Sequence, residues 1–505
     1  MNIKVKISRN ILKIVSLLTL VIPLLIFNIF FLKWYIGFPL CGCLITALWL
    51  YIRNQLHCAS INTIFGKKDN DYDIALPALV CCIAVAAAWA YLAGIGGRFT
   101  QSNDFHGRNA IFHDLVNHSW PVYIGDGHVA LTYYIGYWMI PGLMAKGWAL
   151  LFGPELMWKF ANAVLLLQTI WYLILIFLLF LSLLDRNSHV ILLLLLFVLF
   201  SGMDGLMCFL KGKWSTHLEF WADDWQYSSN TTCMFWVFNQ AVPAWLATLL
   251  FVYSIDDYYA YALFGAAVSL HAPFPLIGLF IFCASFFIIH LFRCKGNEQR
   301  FIHLKSVFSW CNILSLIAVV PALTYLISNN SVSNEALHID LYPNKYSRFE
   351  FFLTILVFEL IEWGMYALMI LPRYWKQPAY VISCISLMFI PLFKAGGYYN
   401  DFPMRASIPA LLILMMYCAH SFINWESDRP KSLILLLAAF LAIGTFTPLT
   451  EFKRGIDEYA ENEYRPVIRD DYKTVVSELA STNNFVCNDL EGSLFFKYFA
   501  DVYHP

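Results

Sequence analysis

The densest group of reactive side chains lies in residues 96–127, directly after the third long apolar segment of the chain. Within fifteen residues it holds Asp104, His106, Arg108, His113, Asp114 and His118. A glycosyl transfer that inverts the anomeric centre needs one carboxylate to accept the proton of the attacking hydroxyl. Because Asp104 stands in a glycine-flanked loop beside an apolar segment, we predict it to be such a base, with His106, Arg108 and Asp114 as substrate-binding neighbours.

Two alternatives apply to this loop. Asp104 can instead cap a helix that begins around Gly107, since an aspartate ahead of a helix satisfies free backbone N–H groups. His113, Asp114 and His118 raise the option of a divalent metal. A histidine spacing of five, unlike a spacing of four, does not place both rings squarely on one helical face, so we assign no metal ligand.

A second group lies near the start of a late apolar segment, in the sequence GGYYNDFPMRASIP of residues 396–409. Arg405 can pair with two oxygens of a phosphate, and Asp401 can orient it or bind sugar hydroxyls. The alternative is an arginine that extends from the helix end to the membrane interface. We predict that Asp401 and Arg405 bind substrate.

A third group lies in residues 211–240, where acids and tryptophans alternate. It comprises Glu219, Asp223 and Asp224 among Trp214, Trp221, Trp225 and Trp236. Sugars stack their apolar faces on aromatic rings and donate hydroxyl hydrogen bonds to carboxylates, so we predict that Asp223 and Asp224 contact a saccharide. The alternative for any single tryptophan is the aromatic belt of a membrane protein.

The composition indicates which elements position these groups. Of 505 residues, 60% are hydrophobic and 13% are charged, against about 25% charged in a soluble domain. The apolar residues form runs close to the ~20 residues that span a bilayer as a helix. A net charge of -1 argues against nucleic-acid binding. Most of the 13 cysteines lie in apolar runs, which indicates small buried side chains and neither disulfides nor zinc ligands.

The sequence therefore predicts an all-α, polytopic transmembrane bundle in residues 1–449 and a small extracytoplasmic tail in residues 450–505. Lysine and arginine in the turns predict an amino terminus inside and a carboxy terminus outside. Residues 129–152 are either a further crossing or a shallow interfacial helix, and we favour the latter. The thirteen predicted crossings are 14–32, 36–52, 74–95, 156–184, 190–210, 236–254, 258–271, 273–292, 306–327, 351–371, 378–395, 406–424 and 432–449.

The carboxylates Glu359 and Glu362 stand three residues apart inside a predicted crossing. A carboxylate within a membrane is a functional hypothesis by default. This pair supports a rival class, a transporter or flippase of lipid-linked sugars. Pairing with a buried lysine or arginine, or a place at a wet cavity, is the alternative explanation.

Several stretches together resemble a known group of proteins. They are GIGGRFTQSNDFHGRNAIFHDLVNHSWPV, the aromatic YYIGYW, YSSNTTCMFWVFNQAVPAW and NDFPMRASIP. In this order the chain resembles bacterial polytopic membrane proteins related to the GT-C superfamily of polyprenyl-phosphate-sugar-dependent glycosyltransferases. Its architecture is similar to that of the protein mannosyltransferases and lipid A aminoarabinose transferases.

The resemblance implies a polyprenyl-phosphate-linked sugar donor, a glycan or lipid acceptor, and an inverting transfer with an acidic base in the first large outer loop. Asp104 matches that base by position. The resemblance also implies a bacterial inner membrane, with the active face outside. A surface-polysaccharide polymerase or ligase, which would bind the same carrier through Arg98, Arg108 and Arg405, is a further alternative.

Overall fold

The computed structural model describes most of the chain. The described residues are 3–125, 127–185, 189–212, 214, 217–222, 224–331, 338–339, 346–395, 401–424, 431–463, 465, 468–469, 471–479 and 484–501. The described residues are mostly helical, with a few short strands. A helix pairs its backbone N–H and C=O groups within one segment, so it is the structure that long apolar runs adopt in lipid. The longer α-helices are Arg9–Phe30, Trp34–Leu56, Leu76–Leu92, Asp104–Asn117, Gly136–Phe152, Met157–Leu184, Val190–Leu199, Phe238–Val252, Tyr261–Ser269, Pro273–Arg293, Asn297–Val307, Trp310–Ile327, Arg348–Glu359, Met365–Tyr374, Pro378–Phe389, Ile408–Ile423, Lys431–Gly444 and Phe446–Glu461.

The length and composition of these helices mark the chain as a membrane protein. Among the described residues, seven helices are long and apolar enough to cross a bilayer, or eight if a bent pair forms one span. Four further apolar helices are shorter: Leu76–Leu92, Phe238–Val252, Pro378–Leu392 and Ile408–Ile423. The thirteen predicted crossings are therefore not confirmed. Segment 258–271 contains the 3-10 turn Tyr258–Ala260 and the nine-residue α-helix Tyr261–Ser269, which is about 14 Å long at 1.5 Å per residue.

Two apolar segments differ from the sequence prediction in a way that matters for the site. The predicted crossing 190–210 is two helices, Val190–Leu199 and Asp204–Leu210, bent by 52°. The last predicted crossing, 432–449, extends much further, because the helix Phe446–Glu461 follows Lys431–Gly444 after one residue. The predicted boundary between residues 449 and 450 thus falls inside a helix.

Residues 129–152 begin as a strand and not as a helix. Val129–Leu131 pairs with Tyr123–Ile124 and, on its other side, with Val486–Cys487 from the tail. The helix Gly136–Phe152 starts five residues after this strand ends. A three-stranded sheet therefore joins the loop of residues 96–127 to the last part of the chain.

The other sheets are two-stranded. Near the amino terminus, Lys4–Ser8 pairs with Asp71–Ala75, and Ser60–Thr63 pairs with Gly66–Asp69. A further pair joins His338–Ile339 to Phe393–Lys394.

The tail packs on the helix Asp104–Asn117, which we call the loop helix. The Val475 N–H donates to Asp114 Oδ2 at 2.9 Å, and Asn109 Nδ2 donates to the Tyr472 hydroxyl at 3.0 Å. The tail contributes the helical turn Val475–Glu478 and the strand Val486–Cys487. Such packing is expected, because a tail of this size has little core of its own.

Candidate functional site

A polar cavity of about 300 Å³ brings together side chains from four distant parts of the chain. Three of the eight predicted site residues line it: Asp104, Asp401 and Arg405. The remaining lining residues are Asn103, His217, Glu219, Phe220, Gln226, Ser228, Thr232, Trp236, Val237, Met404 and Glu451. The cavity therefore joins carboxylates, an arginine, a histidine and an indole, which are the groups that bind and activate a hydroxylated anionic ligand.

Asp104 stands in the first turn of the loop helix, with Asn103 as the N-cap residue. The alternative that Asp104 caps a helix starting near Gly107 is therefore wrong, because the helix begins three residues earlier. The Asp104 carboxylate is 47% exposed and accepts a hydrogen bond from Arg108 Nη2 at 2.8 Å. Arg108, one turn further along, is buried. Its cation fixes the direction of the carboxylate that faces the cavity.

Arg405 lies in the short helix Asp401–Ala406 and is also buried. Its Nη1 atom lies 2.6 Å from Asp401 Oδ1, while Asp401 itself is 36% exposed. An arginine that extends to the membrane interface would expose its guanidinium, so that alternative does not describe Arg405. The guanidinium is instead held at the cavity wall with its charge only partly balanced by a half-exposed aspartate.

Both arginines keep unpaired donors. Arg405 Nε, Arg108 Nε and Arg108 Nη1 are buried and have no hydrogen-bond partner among the described residues. Both cations act electrostatically on Tyr133 and Tyr134, which places the two guanidinium groups in one neighbourhood. Leaving buried donors unpaired is costly unless an anion or other acceptor meets them. Because Arg405 lines the cavity while Arg108 does not, the Arg405 Nε donor is the one that suits the cavity to an anionic ligand.

Glu219 is a buried residue of the cavity wall. Gln226 Nε2 and the Ser229 N–H donate to its two oxygens, each at 2.8 Å. Burial, and then the nearby charge of Asp204, raise the pKa of the Glu219 carboxyl to about 8, although these hydrogen bonds oppose the shift. Glu219 is therefore protonated in a large fraction of molecules near neutral pH, unlike an ordinary glutamate.

Glu451 organises another part of the wall. His217 Nδ1 lies 3.3 Å from its Oε1 atom, and Trp236 Nε1 donates to its Oε2 atom at 2.9 Å. Arg454 Nη2 also donates to Oε2, at 3.0 Å, and its guanidinium stands over the Trp236 ring. These contacts hold the Trp236 indole at the cavity.

The other predicted substrate-binding residues that the structure describes do not line the cavity. His106 Nε2 lies 3.3 Å from Glu478 Oε2, so this histidine contacts the tail. Asp224 accepts a hydrogen bond from the Tyr346 hydroxyl at 2.8 Å. Asp223 lies outside the described residues. Arg108 contributes only indirectly, through Asp104.

Asp114 is fully buried beneath the tail and binds the Val475 N–H. Burial raises the pKa of its carboxyl to about 7 and lowers the pKa values of His113 and His118. Within the described parts of the chain, no group of three or more His, Cys, Asp or Glu side chains is arranged to hold a metal ion. Asp114 thus secures the tail and does not face the cavity.

The sequence did not predict His217 as a cavity residue, and it placed Glu451 only in the tail of residues 450–505. Neither stands in a motif: His217 is an isolated histidine, and Glu451 becomes significant only because the helix Phe446–Glu461 carries it to the cavity. Glu219 had a usable signal, since it lies among tryptophans next to Asp223 and Asp224.

Neither protein-family models, nor curated proteins, nor solved structures match this chain. The resemblance to the GT-C superfamily therefore stays a prediction.

Proposed function

We propose that the polar cavity is the active site of a membrane glycosyltransferase that uses a polyprenyl-phosphate-linked sugar as donor. The proposal depends on one observation, that Asp104 and Arg405 line the same cavity although they lie in distant parts of the chain. A carboxylate held by an arginine and a separate buried guanidinium are the two groups that such a transfer requires.

Arg405 is proposed to bind the phosphate of the donor. Its Nε atom is a buried donor without a partner among the described residues, and Asp401 fixes the rest of the guanidinium. A planar guanidinium suits phosphate because it can donate two parallel hydrogen bonds. The sugar would then stack on Trp236 and donate hydroxyl hydrogen bonds to the carboxylates of the cavity.

Asp104 is proposed to act as the general base. The acceptor hydroxyl oxygen attacks the anomeric carbon and forms the new glycosidic bond, while the bond from that carbon to the phosphate oxygen breaks. The hydroxyl proton passes to Asp104, and the leaving phosphate keeps the bonding electrons, stabilised by Arg405. Attack opposite the leaving group inverts the anomeric centre.

We also propose the membrane arrangement that this chemistry needs. Thirteen crossings, with the amino terminus inside and the carboxy terminus outside, place the cavity on the extracytoplasmic face of a bacterial inner membrane. The acceptor is then a cell-envelope or surface glycan. In a chain whose native cysteines are replaced, a single cysteine is introduced at Asp104 or at Glu298. The two cysteines are expected to react with an impermeant thiol reagent from opposite sides of the membrane.

The experiment that tests the function measures sugar transfer by purified protein from a panel of radiolabelled polyprenyl-phosphate sugars. We expect turnover by the parent protein and a 10²- to 10⁴-fold loss in Asp104→Asn, about the contribution of a general base. Asp471→Asn is the matched control, because Asp471 also pairs with an arginine, Arg469, but lies on the exposed tail. It should retain full turnover.

The same assay separates the alternatives. Retained transfer in Asp104→Asn together with loss in Arg405→Ala favours a polysaccharide polymerase or ligase. No transfer from any donor by a correctly folded parent protein contradicts the proposal and favours transport.

A further inference from the structure

Two carboxyl groups meet behind the cavity, at the bend between the helices Val190–Leu199 and Asp204–Leu210. Asp204 is the first residue of the second helix and is fully buried. Glu362 lies in the π-helical turn Leu360–Gly364, with 2% of its surface exposed. π-Helical turns are rare and occur frequently at functional sites.

The two carboxyl groups share one donor and contact each other. Trp221 Nε1 lies 3.1 Å from Asp204 Oδ1 and 3.0 Å from Glu362 Oε1. Glu362 also interacts electrostatically with Asp204. Two ionised carboxylates at one shared donor would repel each other, and a proton on one of them removes that repulsion.

The two carboxyl groups differ in their other hydrogen bonds. Asp204 Oδ2 accepts from the hydroxyls of Ser201 and Thr447, at 3.2 and 2.8 Å. Together with Trp221, these donors occupy both oxygens of Asp204. Glu362 Oε2, in contrast, is buried and has no hydrogen-bond partner among the described residues. It points at Gly202, where an added methyl group would lie 2.1 Å from it.

Few positive charges balance the pair. The titratable and charged groups that face it from the surrounding elements are Glu219, Glu359, Tyr227, Tyr366, Cys208, Lys211 and, one turn beyond Thr447, Glu451. The single cation among them, Lys211, donates to the Trp221 carbonyl at 2.7 Å. In the described part of the chain, neither Asp204 nor Glu362 forms an ion pair with a lysine or arginine, contrary to one explanation that the sequence left open.

We infer that Asp204 and Glu362 form a proton-binding site that holds one proton between two carboxyl groups. Asp204 carries the negative charge, because three donors surround it, and Glu362 carries the proton. Trp221 stands in the same short 3-10 helix as Glu219, Leu218–Ala222, so the proton site lies directly behind the wall of the cavity. This inference does not depend on the proposed transfer reaction.

Infrared spectroscopy of the purified protein in lipid nanodiscs tests the inference. A protonated carboxyl has a C=O stretch that is separate from that of a carboxylate and shifts in D2O. We expect the parent protein to keep such a band at a pH of about 9, above the pKa values of exposed carboxyls. Absence of any such band in the folded parent protein would falsify the inference without the need for a variant.

Variants then assign the band. The background Glu219→Gln with Glu359→Gln removes the two neighbouring glutamates and should keep a band of one carboxyl per molecule. Adding Glu362→Gln should abolish it, whereas adding Glu298→Gln, a change at an exposed glutamate, should not. Trp221→Phe should shift the band without removing it. A band that survives Glu362→Gln and Asp204→Asn together assigns the proton elsewhere and overturns the inference.

Discussion

Arg108 Nη2 donates a hydrogen bond to Asp104 Oδ2 at 2.8 Å, so the cavity carboxylate and a buried guanidinium form one unit on the loop helix. The two residues are one helical turn apart, which brings their side chains onto the same face. Because Arg108 does not line the cavity while Asp104 does, Arg108 acts on a bound ligand only through the position of Asp104. Substitutions at Arg108 and at Arg405 should therefore have different effects on kcat and on donor binding.

Arg108→Lys should lower kcat for sugar transfer about tenfold and change KM little. Lysine keeps the charge, but it lacks the planar fork that orients the carboxylate. A misplaced base slows proton transfer without weakening donor binding. Steady-state kinetics over a range of donor concentrations measure both constants, and an effect on KM alone would contradict the assigned role.

Arg405→Lys should instead weaken binding of the donor by about ten- to hundredfold. The loss corresponds to about 1.5–3 kcal/mol, the typical contribution of a hydrogen bond to a charged group. Competition by a polyprenyl phosphate that carries no sugar measures this binding directly. The matched control is Arg465→Lys, at an exposed arginine paired with Glu463. Equal affinities in the parent protein and Arg405→Lys would exclude Arg405 as the phosphate ligand.

Glu219 should make the stability of the protein fall as the pH rises. Its pKa is about 8 in the folded protein against about 4.5 in the unfolded chain. Between these values the unfolded chain has lost the proton while the folded protein keeps it, so ionisation favours unfolding. The loss begins near a pH of 4.5 and is complete above about 8.

Thermal unfolding in detergent, followed from a pH of about 5 to about 9, measures this dependence. Glu219→Gln keeps an acceptor for the bond from Gln226 but cannot ionise, so its unfolding temperature should vary less with pH than that of the parent protein. Glu478→Gln is the control, because Glu478 lies in the tail, near His106, and not at the cavity. Identical pH dependence in the parent protein and Glu219→Gln would contradict the raised pKa.

Asp114 should control the docking of the tail. Asp114→Ala removes the acceptor of the Val475 N–H and leaves that buried donor unpaired, which costs about 1–3 kcal/mol. Hydrogen exchange of residues 472–479 should then accelerate, whereas Asp114→Asn, which keeps a carbonyl acceptor, should protect them. In the parent protein the protection should fall as the pH rises through about 7, since ionisation of buried Asp114 is unfavourable. Unchanged exchange in Asp114→Ala would show that other contacts hold the tail.

The sequence predicted the helical membrane protein and three residues of the cavity, but not how they come together. Hydropathy locates long apolar helices because burial of apolar runs dominates their formation. Hydropathy averages over Phe200–Met203, so it does not predict the bend that brings Asp204 next to Glu362. Asp104, Asp401 and Arg405 each have a local signal, whereas His217 and Glu451 acquire a role only through contacts between distant helices. The place of Asp114 beneath the tail could not be predicted, because spacing does not reveal which side of the loop helix the tail covers.

Gly202 should be intolerant of any side chain, because Glu362 Oε2 occupies the space beside its Cα. A methyl group at Gly202 would lie 2.1 Å from that oxygen and 3.0 Å from the Glu362 Cα, so the buried Glu362 side chain or the backbone at the bend must shift. Gly202→Ala should destabilise the protein by about 1–3 kcal/mol, a typical cost of overpacking. Gly147→Ala is the control, since a methyl group there meets nothing within 4 Å.

Thermal unfolding of the two alanine variants gives the comparison. In the double variant that combines Gly202→Ala with Glu362→Ala, the added methyl group has room. Most of the stability that the clash removes should therefore return. A double-mutant cycle isolates that recovery from the separate effect of removing Glu362. Additive effects of the two substitutions would mean that Gly202 and Glu362 are not in contact.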